Sequence, residues 1–201
     1  MRFISQPRQD SFHLMPSQTM LVPPAIHLHG EMMILIQERY ESGLSLNYLR
    51  AVPPIYYDDG FNLQSAFVGD FSNLPDGDQP AWTSDIRLPP KLAIVFWFPR
   101  YPIYKHQVTV LRAHNQPPTR GKLARIVARE MKRFLDKARI EYRLPLCCDG
   151  QELSLSDLFL IDIEHISRGS LQSRIGTRRY MGREASGLVH PMNTYLVPSF
   201  A

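Results

Sequence analysis

The sequence predicts an α+β fold, a small sheet with one long amphipathic helix packed across it behind an irregular N-terminal region. Three observations predict it. Residues 91–98, KLAIVFWF, are apolar, β-branched and aromatic and are bounded by Pro89-Pro90 and Pro99, which suits a strand buried on at least one face. Residues 120–142 repeat apolar side chains at spacings of three and four, the period of a helix with one buried stripe. Residues 159–166, FLIDIEHI, set Ile161 and Ile163 against Asp162 and Glu164, as a strand with one wet face does. Strands and a helix in this mixed order point to α+β architecture.

From the N-terminus, residues 1–24 are broken by Pro7, Pro16, Pro23 and Pro24 and read as an arm, ordered only if it docks. In the next stretch Ile26 and Leu28 alternate with His27 and His29, which suits a strand. The run Met32-Met33-Ile34-Leu35-Ile36 fits a buried strand, or a helix starting near Glu31 and stopped by Gly43. The helix is the preferred expectation. Asp58-Asp59-Gly60 lies between aromatic pieces and predicts a hairpin turn. Residues 71–90 read as loop, with a turn at 75–78.

Residues 103–111 read as a second strand, forming a hairpin with 91–98. Thr119 is placed to cap the long helix by accepting a backbone N–H. Leu123, Val127, Met131 or Phe134, Leu135 and Ala138 form its stripe, Ala124 and Ala128 widen it, and Pro145 enforces the stop. Asp149-Gly150 is a turn, and residues 153–158 suit one short helical turn. After Arg168-Gly169 the chain becomes polar and Arg-rich, and reads as a mobile basic tail. The expected organisation is therefore an arm at 1–24, a domain at 25–167 and a tail at 168–201 whose end docks back. The sheet is expected to comprise 91–98, 103–111 and 159–166.

With 201 residues, 44% hydrophobic and 21% charged, the composition is that of a folded chain and excludes wholesale disorder. No apolar run reaches the roughly 18–20 residues that span a bilayer. The first ten residues carry Arg2, Arg8 and Asp10 with no apolar stretch behind them, so no secretory signal is expected. The expected setting is intracellular, cytoplasmic or nuclear, with no membrane partner. The two cysteines, Cys147 and Cys148, are adjacent and make no disulfide framework. They read as reduced thiols, with a vicinal disulfide as the alternative.

Net charge is +4, and bases exceed acids only after Thr119. On the long helix Lys122, Arg125, Arg129, Lys132 and Arg133 would face outward, with Lys137 and Arg139 beyond them. Such a stripe, extended by Arg178 and Arg179, would make salt-dependent phosphate contacts. It is equally an ordinary solvated helix face. His27, His29 and Glu31 form HxHxE, and on one strand they would share a face and approach a metal. Surface histidines make the same pattern. Asp162 and Glu164 share a strand face, an arrangement open to acid–base work and also common on wet strands, with His165 opposite. There is no GxSxG, HExxH, Walker A or GxGxxG motif, and no cofactor is implied. Tyr48, Tyr56, Tyr57, Phe61, Phe67 and Phe71 form either core or an interface.

Three stretches within residues 86–175 carry a resemblance. They are Trp97-Phe98-Pro99-Arg100-Tyr101-Pro102, the helix start Pro117-Pro118-Thr119-Arg120-Gly121-Lys122-Leu123-Ala124, and the run DLFLIDIEHISRGSLQ at 157–172. Together they resemble proteins expanded in mushroom-forming fungi. The resemblance implies a eukaryotic intracellular protein and carries over no functional residues.

Three functional readings follow. The first is a non-enzymatic protein-interaction or scaffold module with a protein partner. The second is a nucleic-acid-associated protein using the basic helix face and tail. The third is an enzyme without a recognisable motif, for which Asp162, Glu164, His27, His29 and the two thiols are the groups to test. A cavity gathering two of these sets would favour the third. Oligomeric state is left open.

Overall fold

The computed structural model describes residues 26–28, 32–41, 53–83, 86, 89–111 and 116–178. In chain order the elements are β1 (Ile26–Leu28), β2 (Met32–Ile34), β3 (Ile55–Asn62), α1 (Leu63–Val68), β4 (Lys91–Phe96), β5 (Tyr104–Thr109), α2 (Arg120–Ile140), β6 (Cys147–Cys148), β7 (Gln151–Glu152), a 3-10 turn at Leu155–Asp157, β8 (Leu158–Ser167) and β9 (Ser170–Arg178). The fold is α+β, and among the described residues seven strands form one mixed sheet with two helices against it.

The sheet is organised around β9. A tight reversal at Arg168-Gly169, closed by the Ser167–Ser170 pair, folds β9 antiparallel onto β8. The opposite edge of β9 is shared between two partners. Residues 170–172 pair parallel with Ala93–Val95 of β4, while residues 176–178 pair antiparallel with β2. β5 extends the sheet beyond β4, β3 beyond β8, and β1 beyond β2.

Where β4 and β9 part company, their freed backbone groups need other partners. The Gln37 carboxamide supplies two. Its Nε2 donates to the Ser173 carbonyl at 2.6 Å, and its Oε1 accepts from the Trp97 N–H at 3.3 Å. The Leu35 N–H donates to the Ile175 carbonyl and the Glu38 N–H to the Trp97 carbonyl, both at 2.8 Å. The segment after β2 thus stitches the fork shut.

One face of the sheet carries the main core. Leu123, Val127, Met131, Phe134 and Ala138 of α2 pack with Leu92, Ile94, Phe96, Leu160, Ile163, Leu171 and Ile175. Burying each large side chain contributes about 1.5–3 kcal/mol. Thr119 caps α2 as its sequence position implies, its Oγ1 accepting from the Lys122 N–H at 3.2 Å. Gly121 permits a close approach, because a Cβ there would lie 3.1 Å from the Gly77 carbonyl oxygen and 3.2 Å from the Phe71 ring. Lys137 and Arg139 stand in the last turn, where cations suit the helix dipole.

Four expectations are corrected. Residues 32–34 form β2, not a helix from Glu31, because pairing with both β1 and β9 gives this short apolar run partners on both edges. The 159–166 strand has no wet face. Met32 packs on Phe159 and Ile161, and Tyr40 on Ala93, Val95 and Ile166, so the side away from the helices is covered as well. Asp58-Asp59-Gly60 does not turn a hairpin. It forms a bulge inside β3, which pairs with β8 at 55–56 and again at 61–62. Asp59 and Gly60 there take positive φ of 56° and 74°, and a Cβ on Gly60 would come within 2.9 Å of the Met32 Cε. Finally, the expected tail begins with β9, so the 167/168 boundary cuts through a paired hairpin. Leu171, Ser173, Ile175 and Thr177 turn inward and are buried, a period of two half-hidden by their small polar members. The arm at 1–24 and residues 179–201 lie outside the described residues.

Candidate functional site

The helix expected to present a cationic stripe is α2. Lys122, Arg129, Lys132 and Arg133 are exposed and Arg125 is half-buried. Much of the charge is neutralised locally. Lys132 Nζ lies 2.6 Å from Asp136 Oδ2, and Lys137 pairs with Glu141 at 3.5 Å. Arg139 Nε donates to Glu152 Oε1 at 2.8 Å. Arg133 Nη1 donates to Glu130 Oε1 at 2.7 Å. Glu130 is itself buried and ties α2 to the sheet edge, accepting from the Tyr104 hydroxyl at 2.7 Å and lying 2.9 Å from His106 Nδ1. Lys122, Arg125 and Arg129 have no ion pair to an acid among the described residues. Arg125 also covers Gly69 at the end of α1, where its Nη1 would meet a Cβ at 3.3 Å.

The tail does not extend this stripe. On β9, Arg174 and Arg178 alternate with Leu171 and Ile175, so they emerge from the sheet face away from α2. The Arg178 guanidinium sits 4.8 Å from the centroid of the Phe159 ring. Arg179 lies outside the described residues.

Acid–base chemistry at Asp162 and Glu164 meets a different geometry from the one expected. Asp162 is completely buried and bound by Arg174, whose Nε donates to Oδ2 at 2.7 Å and whose Nη2 donates to the same oxygen. That bond is the main reason the guanidinium holds its proton above the usual arginine range. Asp162 Oδ1 has no hydrogen-bond partner. On the helix side, His165 is only 7% exposed and meets Trp82 edge-on at 5.4 Å between centroids. Neither ring nitrogen is bonded, and burial pushes the imidazole pKa down to about 4.

Cys147 and Cys148 are free thiols on the β6–β7 hairpin, turned by Asp149-Gly150. Burial, reinforced by Glu152 for Cys147 and Asp149 for Cys148, raises both thiol pKa values, which disfavours the nucleophilic thiolate. Cys147 Sγ donates to the Pro145 carbonyl at 3.4 Å. For HxHxE, β1 ends at Leu28, with His27 opposite Met33 in the backbone register. His29 and Glu31 lie outside the described residues. Among the described residues no three His, Cys, Asp or Glu side chains group as a metal site.

The aromatic set divides. Tyr57 and Phe61 are core, Phe67 and Phe71 pack against it, and Tyr56 is 52% exposed. Tyr48 lies outside the described residues. Burial pushes the Tyr57 hydroxyl pKa well up, opposed by the nearby Arg120 charge.

Two clefts remain. One, of about 200 Å³, is a groove between α1, the second half of α2 and the β6–β7 hairpin. Its floor is Phe67, Leu135, Leu146, Leu153 and Leu155, and its rim carries the Lys132–Asp136 and Arg139–Glu152 pairs. The other, of about 760 Å³, lies at the opposite end of α2 beside Trp82 and Arg120. Asp162, Glu164 and the two thiols line neither. Sequence reasoning missed the groove because its floor comes from four separate segments. Leu135 at the stripe's margin was the one visible signal.

No helix among the described residues is long and apolar enough to cross a membrane. Comparison with protein-family models, with curated proteins and with solved structures finds no match to this chain.

Proposed function

We propose that the chain is a protein-interaction module that docks one apolar side chain of a partner segment in the groove beside α2. The observation that carries this reading is the pairing of an apolar floor with a self-neutralised rim. A volume of about 200 Å³ falls below the roughly 300–1,000 Å³ typical of small-molecule sites. It suits a single large apolar anchor, and Trp is the apolar side chain most enriched among residues that dominate interface energetics. The Lys132–Asp136 pair on α2 and the Arg139–Glu152 pair bridging α2 to the β6–β7 hairpin offer both signs of charge at the rim, which suits an anchor flanked by polar residues of mixed charge. An intracellular, reducing setting belongs to the same proposal and is supported by the free thiols.

Selection from a random-peptide display library tests it. Enriched sequences are expected to share one large apolar residue, to bind with Kd of about 1–100 μM, and to lose binding to Leu135→Glu while that variant melts as a folded protein. Failure to enrich, or equal binding to the variant, contradicts the groove as the docking surface.

A nucleic-acid role is the second reading, and it draws on Lys122, Arg125 and Arg129 alone. Spacings of three and four put them on one side of α2, clear of acidic partners. Three phosphate contacts would give a slope of about −2 to −3 in log K against log salt. Fluorescence anisotropy with duplex DNA and RNA at several salt concentrations measures it. Lys122→Glu with Arg129→Glu is expected to abolish any such binding.

A further inference from the structure

The larger cleft opens between the start of β3, the 79–83 loop and the start of α2. Its volume of about 760 Å³ lies within the range of small-molecule sites. The walls are largely apolar, with Pro53, Pro54, Ile55, Pro80 and Trp82, while Gln79, Thr83 and Gln116 add uncharged polar groups, and among the described residues Arg120 is the only charged residue lining them.

Arg120 supplies the positive charge of the cleft. No carboxylate comes within ion-pair distance of it among the described residues. Its guanidinium stacks 5.1 Å from the Tyr57 ring centroid and donates through Nη2 to the Tyr56 carbonyl, which holds it in place. Its Nε–H is buried with no acceptor among the described residues. Arginine has five N–H donors in a rigid fork, so one bond to a carbonyl leaves most of that capacity open. On the same wall Trp82 is only 7% exposed, and its indole Nε1–H also lacks an acceptor.

The helix terminus adds nothing to this anion demand. The first amides of α2 are already bonded, Arg120 N–H to the Gln79 carbonyl, Gly121 N–H to the Gly77 carbonyl and Lys122 N–H to Thr119 Oγ1. The demand comes from the side chain, a half-buried cation for which a carboxylate would supply charge-assisted hydrogen bonds.

We propose that this cleft binds a small organic acid, a monocarboxylate with a flat apolar body, its carboxylate on Arg120 and its body against Trp82 and the prolines. Carboxylate geometry matches the guanidinium fork, and the paired bonds are charge-assisted. A nucleotide or sugar phosphate fits less well, since it brings more than one negative charge to a single cation. The site is independent of the partner groove. Arg120 and Lys132 are twelve residues apart on α2, or about 18 Å at the helical rise.

The chain has two tryptophans, so an ¹⁵N–¹H spectrum shows two indole N–H peaks, assigned with Trp97→Phe. Phenylacetate is the probe and neutral phenylacetamide its control. Phenylacetate is expected to move the Trp82 peak saturably and leave Trp97 in place, with the amide binding about tenfold more weakly or less. Arg120→Gln should lose the acid's advantage and Arg120→Lys should keep part of it. Should Arg120→Gln fail to fold, the acid–amide comparison on the natural chain decides. No movement of the Trp82 peak up to about 20 mM phenylacetate, or equal movement by acid and amide, overturns the proposal.

Discussion

Phe134 and Leu135 are neighbours on α2 with different roles. Phe134 is fully buried, with the rings of Phe96, Phe98, Tyr101 and Tyr104 at 5.2–6.1 Å between centroids. Leu135 lies half-buried on the groove floor. Spacing alone admits either into the stripe, and it favours an expectation that Leu135→Asp unfolds the chain. The structure reassigns that role. Phe134→Ala should cost about 3–5 kcal/mol, and Leu135→Asp under about 2 kcal/mol with the fold retained. Urea melts of the two variants measure both. A second residue-scale asymmetry lies in the Asp162–Arg174 pair. Asp162 is fully buried while the Arg174 side chain is 45% exposed. Removing the arginine strands a buried carboxylate, whereas removing the acid frees a guanidinium that water can reach. Arg174→Met is therefore expected to cost about 3 kcal/mol and Asp162→Asn clearly less. The reverse order in chemical denaturation would refute the pair's assigned geometry.

At the scale of elements, legibility tracks how much of the evidence is local. The α2 helix, β4 and β8 carry their apolar pattern in contiguous residues, and Thr119 announces the helix start, so all were readable within a few residues; β5, mostly polar and exposed, was readable from its partial alternation and its place after β4. The cap should contribute about 1 kcal/mol, lost in Thr119→Val. Strand β9 was not readable in the same way. Its inward set, Leu171, Ser173, Ile175 and Thr177, contains only two large apolar residues, and its outward set includes Arg174 and Arg178. What makes it the sheet's centre is partners from β2, β4 and β8, none of them visible in its own sequence. Strand β2 failed for the same reason, since three residues gain their conformation from pairing on both edges. A chain ending at residue 169 is thus predicted not to fold. Circular dichroism and a melt of that truncation would show it, and a cooperative transition would return the segment to tail status.

Across the whole molecule, the buried polar groups set how stability responds to pH. His165 is held neutral by burial, with a folded pKa of about 4 against an unfolded value of about 6.5. Between these values the unfolded chain binds a proton that the folded chain refuses. Stability is unaffected by this group above about pH 6.5 and falls as pH drops towards 4, by about 3 kcal/mol in total. His165→Phe should flatten that part of the stability profile relative to the natural chain, as denaturant midpoints across pH 4–7 would register. Of the candidate surfaces, the sequence showed the cations of α2 and the local acids Glu130 and Asp136, which pair at helical spacings of three and four, but not Glu152, which reaches Arg139 only in the folded arrangement. The groove likewise exists only once α1, α2 and the β6–β7 hairpin are assembled.

That groove is best tested by where a bound peptide touches the protein. Leucine methyl groups can be labelled and their shifts followed while a library-selected peptide is added. Movement concentrated on Leu135, Leu146, Leu153 and Leu155, with core leucines such as Leu92 and Leu171 still, is the predicted result. Shifts centred on another surface, with those four methyls unmoved, would contradict the assignment of this groove as the docking site.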